Sequence, residues 1–389
     1  MLAELEPVGR DRRSGGYRRH AWTGEDAQLR EWFAGEAAVR GLDLVTDRAG
    51  NQWAWWGDPD GRPGIVAGSH LDSVPDGGAF DGPLGVVSAF AALDALRGCG
   101  FAPSRPIAVA HFGDEEGARF GVACAGSRLL TGLLDADRAR ALTDSGGVPM
   151  AEAMARAGHD PAQLGRDEET LRRVGAFVEL HVEQGRGLAD LDRPVAVGSG
   201  IRPHGRWRFD LPGVADHAGT TRLADRHDPM LAFAEVVLAA RAAAVAHDAV
   251  ATCGKVAVAP NGVNAIPSLV TGWLDARGAD AERVRAVVAD VAAVVSGHGG
   301  TLAEESWTGP VGFDPQLGAR LAALLGDAPV LDTGAGHDAG ILAAAGVPTA
   351  MLYVRNPTGV SHSPAEHAEP EDCAAGVAAL AAVLAKLAR

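Results

Sequence analysis

Short apolar runs that stop abruptly in polar, glycine-rich turns recur along this chain, and they govern how it reads. Gly64-Ile65-Val66-Ala67-Gly68 and Pro106-Ile107-Ala108-Val109-Ala110 are continuously apolar, the pattern of strands buried on both faces. Phe177 to Gly185 alternates apolar and polar residues, which predicts a strand with His181, Glu179 and Glu183 on one face. Leu29, Trp32, Phe33 and Ala37 recur at helical spacing within Gly24 to Arg40, and an alanine-rich stretch from Gly85 to Leu96 predicts another helix. Leu42-Asp43-Leu44-Val45 reads as a strand, and the Trp53-Ala54-Trp55-Trp56 cluster as strand filling rather than a binding platform. Residues 127–175 read as helical and polar, with Asp167-Glu168-Glu169 a solvated helix start. Strand and helix alternating through glycine turns point to an α/β fold, a mostly parallel sheet covered by helices.

Near residue 201 the pattern changes. Trp207-Arg208-Phe209-Asp210-Leu211 alternates as a strand, a loop follows at Asp216 to Thr221, and a long Ala/Val helix runs from Pro229 to Ala246. Strands around 252–258 and 268–274 and a helix from Ala281 to Val295 complete an α+β order close to the ferredoxin-like plan. At 389 residues the chain is too long for one ordinary core, so two domains are expected. Their predicted bounds are 1–201 with 310–389 for the α/β domain and 202–309 for an inserted one, since polar turns bearing His337 and His362 lie beyond the insert.

Composition narrows the function. A hydrophobic content of 47% excludes a disordered chain. A formal charge of −15 argues against nucleic acid and anionic membranes, both of which need a basic face, so an anionic substrate would be caught by local arginines. The cysteines, Cys99, Cys124, Cys253 and Cys373, form no C-x-x-C pair and read as reduced packing residues of a cytoplasmic protein. Basic residues near the N-terminus precede no apolar signal region, and no run of 18 uninterrupted apolar residues predicts a transmembrane helix.

The chemistry gathers where strands end. His70-Leu71-Asp72 and Asp81 follow the first apolar run, where His70 can bind a metal while Asp72 accepts its other ring N–H. Glu115-Glu116 follow the second, and as neighbours on extended chain they point opposite ways, so one can bind metal while the other serves a water as general base. His181 lies on the alternating strand and His362 on a loop closed by Pro364. Imidazoles and carboxylates without thiolates suit zinc, cobalt, nickel or manganese, and a carboxylate shared by two ions is usual in two-metal hydrolytic sites.

With these motifs the chain resembles the metal-dependent amidohydrolases of the aminoacylase/carboxypeptidase superfamily, and within it the hydantoinase/carbamoylase branch of allantoate amidohydrolase, N-carbamoyl-L-amino-acid hydrolase and β-ureidopropionase. The resemblance also runs through Glu179 to Gly185, His217-Ala218-Gly219-Thr220-Thr221, Gly334-Ala335-Gly336-His337-Asp338-Ala339 and Ser361 to Glu366. It implies two divalent ions, zinc first, bridged by Asp81, with His70 and His181 on one and Glu116 and His362 on the other. It implies Glu115 as general base, Asp72 as buttress of His70, and the insert as a lid that forms a homodimer and reaches the partner's site. His217 would donate to the developing oxyanion, Asn264 and Arg277 would hold the substrate carboxylate, and Gln184 would touch the ureido or amide end. His337 would support the site from outside the ligand set.

The reaction implied is cleavage of a carbamoyl or ureido carbon–nitrogen bond of a small carboxylate with release of ammonia, with allantoate as the first substrate. The alternatives are an N-carbamoyl-L-amino acid, an N-formyl or formimino acidic amino acid, and, from other classes, a peptidase or a binding protein without catalysis. Arg355 stands where an uncharged residue is usual in the branch. With Arg202 or Arg206 it could read a second carboxylate or ureido group, or it could pair with an acid such as Glu366.

Overall fold

Burial sorts the strands by their sequences. In the computed structural model, which describes residues 1–389, every residue of Gly64–His70 and of Ile107–Phe112 is buried, as their unbroken apolar runs require. The chain forms two units, Met1–Gly200 with Gly312–Arg389 and Ile201–Val311.

The larger unit is built on a nine-stranded mixed sheet. Across most of its width the order is Asp43–Thr46, Gln52–Trp56, Ile107–Phe112, Gly64–His70, Val174–Val182, Thr349–Val354, Val195–Ile201. The four central strands run parallel, and the margins are antiparallel. Trp53 and Trp55 are buried, so the tryptophan cluster fills the sheet. The helices Pro83–Gly98 and Pro370–Leu387 share one core with Leu29 and Phe33 of Gly24–Val39, through Phe90, Leu93, Leu380 and Leu384. Each of these buried side chains stabilises the fold by roughly 1.5–3 kcal/mol. A second cluster, including Trp22, Phe120, Leu129, Met150 and Met154, packs the short helices of residues 125–156. Asp167 caps the helix Glu168–Arg173 by accepting the N–H of Thr170 and is itself buried, where a solvated start was expected.

The smaller unit carries a four-stranded antiparallel sheet in the order Thr301–Thr308, His204–Pro212, Leu269–Gly278, Ala249–Ala259. Its core joins Trp207, Phe209 and Leu211 to Val236 and Ala240 of the helix Pro229–Ala246 and to Val284, Val287 and Val291 of Ala281–Gly297. Asp228 and Asp280 cap these helices by accepting backbone N–H groups. The first of them is long and apolar enough to cross a bilayer by length and composition, yet one of its faces lies in this core. A separate ribbon pairs Asp216–His217 with Ala265–Ile266.

Candidate active site

Four parallel neighbours bring their carboxyl ends to one edge of the central sheet, the edge where α/β sheets carry their sites. His70 ends one strand, Glu115 and Glu116 follow the next, His181 stands one residue from the end of the third, and His362 lies in the loop after the fourth. Their ligand atoms meet around Asp81. Its Oδ1 lies 3.5 Å from His70 Nε2 and 3.2 Å from His181 Nε2, while His362 Nε2 lies 3.5 Å from Asp81 Oδ2 and 3.5 Å from Glu116 Oε2. Two groups able to hold a metal ion therefore share Asp81: His70, Asp81 and His181, and Asp81, Glu116 and His362.

The ring hydrogen bonds aim these imidazoles. Nδ1 of His70 lies 3.1 Å from the carbonyl of Asp72, and Nδ1 of His181 lies 2.8 Å from the carbonyl of Val182. A carbonyl only accepts, so each Nδ1 carries a proton and each Nε2 faces Asp81. His181 Nε2 is buried without a hydrogen-bond partner even though a carboxylate oxygen stands 3.2 Å away. A proton or a cation between that nitrogen and oxygen satisfies both, and the nitrogen and oxygen donors present suit a divalent cation.

The titration of the cluster makes the same demand. His70 is held well above its usual range, although burial opposes this, because Glu115, Asp72 and Asp81 surround it. Asp81 is held well below the usual carboxylate range, again against burial, by His181 and His70. Burial, with Asp81 nearby, pushes Glu116 up to about 8. Glu115 is raised well above the usual range, chiefly by burial. Its Oε2 lies 3.7 Å from His70 Nε2 and its Oε1 accepts the Sγ–H of Cys124 at 3.1 Å, so the carboxylate is anchored at one oxygen beside the cluster.

Asp72 takes the ring N–H of His70 on its backbone carbonyl, not on the carboxylate that was expected to accept it. Its Oδ1 lies 3.5 Å from His70 Nδ1, but its carboxylate accepts the N–H groups of Glu115 at 3.1 Å and Glu116 at 3.0 Å. It thus fixes the backbone from which both glutamates depart. Glu183 accepts the N–H groups of Gly187 and Leu188, and Glu179 the hydroxyl of Ser69 and the N–H of Ala339, so both serve as anchors. His337 is buried with its ring edge-on to His181 at 4.5 Å, and it forms with Glu179 and His181 a third group of donors. Gln184 Nε2 donates to Asp81 Oδ2 at 2.9 Å and to Ser361 Oγ at 3.2 Å, leaving its Oε1 buried and unpartnered.

Arg355 is engaged elsewhere. Its Nε and Nη2 donate to Asp372 at 2.8 and 3.0 Å and its Nη1 to Asp192 at 2.8 Å. Glu366, its anticipated partner, instead accepts from Phe80 and Asp81. In the smaller unit His217 and Asn264 are exposed and adjoin on the two-stranded ribbon, with the Ala218 N–H donating to the Asn264 carbonyl. His217 Nδ1 accepts the N–H groups of Gly219 and Thr220, so the neutral ring carries its proton on Nε2. Arg277 lies on the four-stranded sheet, where Asp275 takes its Nε and Nη2.

Cys124, Glu366 and Ser361 complete the neighbourhood and were not singled out from the sequence as members of the site, whereas Asp338 was noted with His337 as a possible ligand pair on a supporting turn. Asp338 accepts from Ser127 Oγ and is pushed up to about 8 by burial with Glu179 nearby. The Ser361-His362-Ser363-Pro364-Ala365-Glu366 motif held the signal for Ser361 and Glu366, and it could not say what they touch.

Known proteins share this arrangement of chain and fold. Residues 66–386 match Peptidase family M20/M25/M40. The chain is 37% identical to the N-carbamoyl-L-amino acid amidohydrolase of Geobacillus stearothermophilus, across 97% of this chain and 95% of that one. It is 33% identical to the allantoate amidohydrolase of Escherichia coli K12, across 96% and 94%. A crystal structure of an amidase of the hydantoinase/carbamoylase family from Burkholderia vietnamiensis superposes with a TM-score of 0.89 at 29% identity, covering 100% of this chain and 95% of that one. The chain therefore belongs to peptidase family M20/M25/M40, on the hydantoinase/carbamoylase branch of metal-dependent hydrolases that act on carbon–nitrogen bonds outside peptides.

Proposed function

We propose that the protein hydrolyses the carbamoyl or ureido group of a small carboxylate with release of ammonia, an N-carbamoyl-L-amino acid being the first substrate and allantoate the second. The observation that carries this reading is the convergence of His70, His181, His362, Asp81 and Glu116 with Glu115 beside them. In this reading His70, Asp81 and His181 hold one divalent cation and Asp81, Glu116 and His362 another, zinc, manganese, cobalt or nickel being admissible by donor type. Bound there, the cations would supply Lewis acidity and make hydroxide available near neutral pH.

The remaining work falls to the chain's own side chains. Glu115 takes a proton from the attacking water and returns it to the departing nitrogen. Cys124 keeps one of its oxygens engaged so that the other faces the reacting centre. His217, with its proton on Nε2, donates to the developing oxyanion, and Asn264 and Arg277 hold the substrate carboxylate, which for Arg277 means exchanging the two bonds it makes to the partly exposed Asp275. Gln184 Oε1, buried without a partner, suits an amide or ureido N–H.

An N-carbamoyl amino acid is placed ahead of allantoate because Arg355, the residue that would have read a second carboxylate or ureido group, is spent on Asp372 and Asp192. The E. coli relative keeps allantoate as the second reading. A panel of N-carbamoyl-alanine, N-carbamoyl-aspartate, allantoate and N-formyl-aspartate, each with added zinc, manganese, cobalt or nickel, tests both. Amino acid and ammonia should appear in equal amounts from the N-carbamoyl compounds. No ammonia from any ureido or carbamoyl compound under any metal would refute the assignment. A homodimer through the inserted domain is part of the proposal, supported by an exposed apolar stripe on the helix Pro229–Ala246.

A further inference from the structure

We infer that Glu366 is a positioning residue that ties the loop bearing His362 to the turn bearing Asp81, so that the two present their side chains to a cation together. The inference rests on the two-cation reading above. Glu366 lies 285 residues from Asp81, is 5% exposed, and uses a single oxygen, Oε1, to accept the N–H groups of Phe80 and Asp81, each at 2.9 Å. One acceptor shared by two successive N–H groups fixes the peptide between them, and with it the direction in which the Asp81 side chain leaves the backbone. Glu366 is itself set by a turn in which its own N–H donates to the carbonyl of Ser363, the residue after His362. A displacement of either loop is therefore passed to the other.

Gly78 shows the same clamp from the opposite side. A Cβ there would stand 2.3 Å from Glu366 Oε1 and 2.5 Å from its Cβ, while the φ of Gly78 lies outside the left-handed region. What excludes a side chain at residue 78 is the space Glu366 occupies, not backbone strain. The clamp needs an acceptor rather than a charge, since two N–H groups are satisfied by any carbonyl oxygen. The second oxygen, Oε2, is buried without a partner, so an amide nitrogen in its place exchanges one unsatisfied group for another.

The test is a titration of metal-free protein with cobalt(II) chloride, followed by visible absorption and equilibrium dialysis, on wild type, Glu366→Gln, Glu366→Ala, Gly78→Ala and the Gly78→Ala/Glu366→Ala double variant. Glu366→Gln should bind two equivalents as wild type does. Glu366→Ala and Gly78→Ala should each weaken cobalt binding by about 10- to 100-fold, the range for outer partners of metal ligands. The double variant should bind no more tightly than Glu366→Ala, because the alanine keeps the Cβ that a Cβ at residue 78 would meet at 2.5 Å. Undiminished binding by Gly78→Ala or Glu366→Ala overturns the inference, and so does a Glu366→Gln as weak as the alanine variant. Should Glu366→Ala fail to fold, Glu366→Gln and Gly78→Ala still decide it. If wild type itself takes up no cobalt, the two-cation reading fails instead.

Discussion

Glu115 illustrates how one side chain is given a single task. Its backbone N–H is held by Asp72, its Oε1 accepts from Cys124, and its Oε2 faces the ring of His70, so the carboxylate has little freedom to rotate into the ligand set. Glutamine at this position keeps the shape and loses the base. Glu115→Gln should retain its full complement of bound cations, measured by elemental analysis, while kcat for ammonia release falls by about 10²- to 10⁴-fold, the usual contribution of a positioned base. Turnover close to wild type would remove Glu115 from that role. The residues around it divide by how they could be read. His70, Asp81, Glu115, Glu116, His181 and His362 sit in short motifs at strand ends, where chemistry and spacing coincide, and were legible. Cys124 was not, because what makes it part of the site is a contact with Glu115, set by the packing of distant segments. Arg355 was legible as an oddity only, since nothing local announces Asp192 or Asp372 as its partners.

Elements with one dominant period were the easiest to read. The helix predicted from Pro229 to Ala246 is found at those bounds, whereas Thr301–Thr308 was missed. That strand is mostly exposed and forms the edge of the small sheet, its register shifting between Glu304 and Ser306, so no apolar alternation marks it. The connection between the first two strands hides a buried polar device of the same kind. Asp47 accepts the N–H groups of Ala49 and Asn51, the Asn51 amide and the Trp53 indole, all within 2.8–3.1 Å. Burial pushes its carboxyl up from 3.8 to about 6 in spite of the bonds from Asn51 and Trp53. Between those values the folded chain keeps a proton that the unfolded chain has lost, so this group's contribution to stability is greatest below the window and falls as pH rises through it. Asp47→Asn removes the titration and sets an amide N–H against existing donors, destabilising the protein throughout, by about 1–3 kcal/mol where the carboxylate is ionised. The gap in urea midpoint between wild type and variant should be wider at about pH 4.5 than at about pH 7.5. An equal gap at both would show that Asp47 titrates as an ordinary carboxylate.

At the scale of the molecule, the inserted domain leaves apolar surface uncovered. Leu231, Leu238 and Val245, spaced by seven residues along Pro229–Ala246, are 68%, 68% and 77% exposed. The strand Ala249–Ala259 ends the small sheet and carries exposed Val250 and Val256, with Lys255 its one charged residue. A long apolar edge strand beside an apolar helix face is a surface suited to pairing, and in the proposed homodimer a second copy of the chain would cover both by two-fold symmetry. The ribbon bearing His217 and Asn264 is exposed in the same unit, consistent with the expectation that each copy completes the other's site. Mixing inactive variants separates the two ways of building that site. In a heterodimer of Glu115→Gln with His217→Ala, a site that takes Glu115 from one chain and His217 from the other is intact once per dimer, whereas a site built within one chain is broken in both. Random exchange in an equal mixture makes half of the dimers mixed, so about one quarter of wild-type activity should return if the sites are shared, and none if they are not. Leu231→Asp with Leu238→Asp should convert the dimer to a monomer by light scattering, with its circular dichroism unchanged, and abolish that recovery. Undiminished activity of the monomeric Leu231→Asp/Leu238→Asp protein, with Glu115 and His217 both intact, would place His217 in its own chain's site.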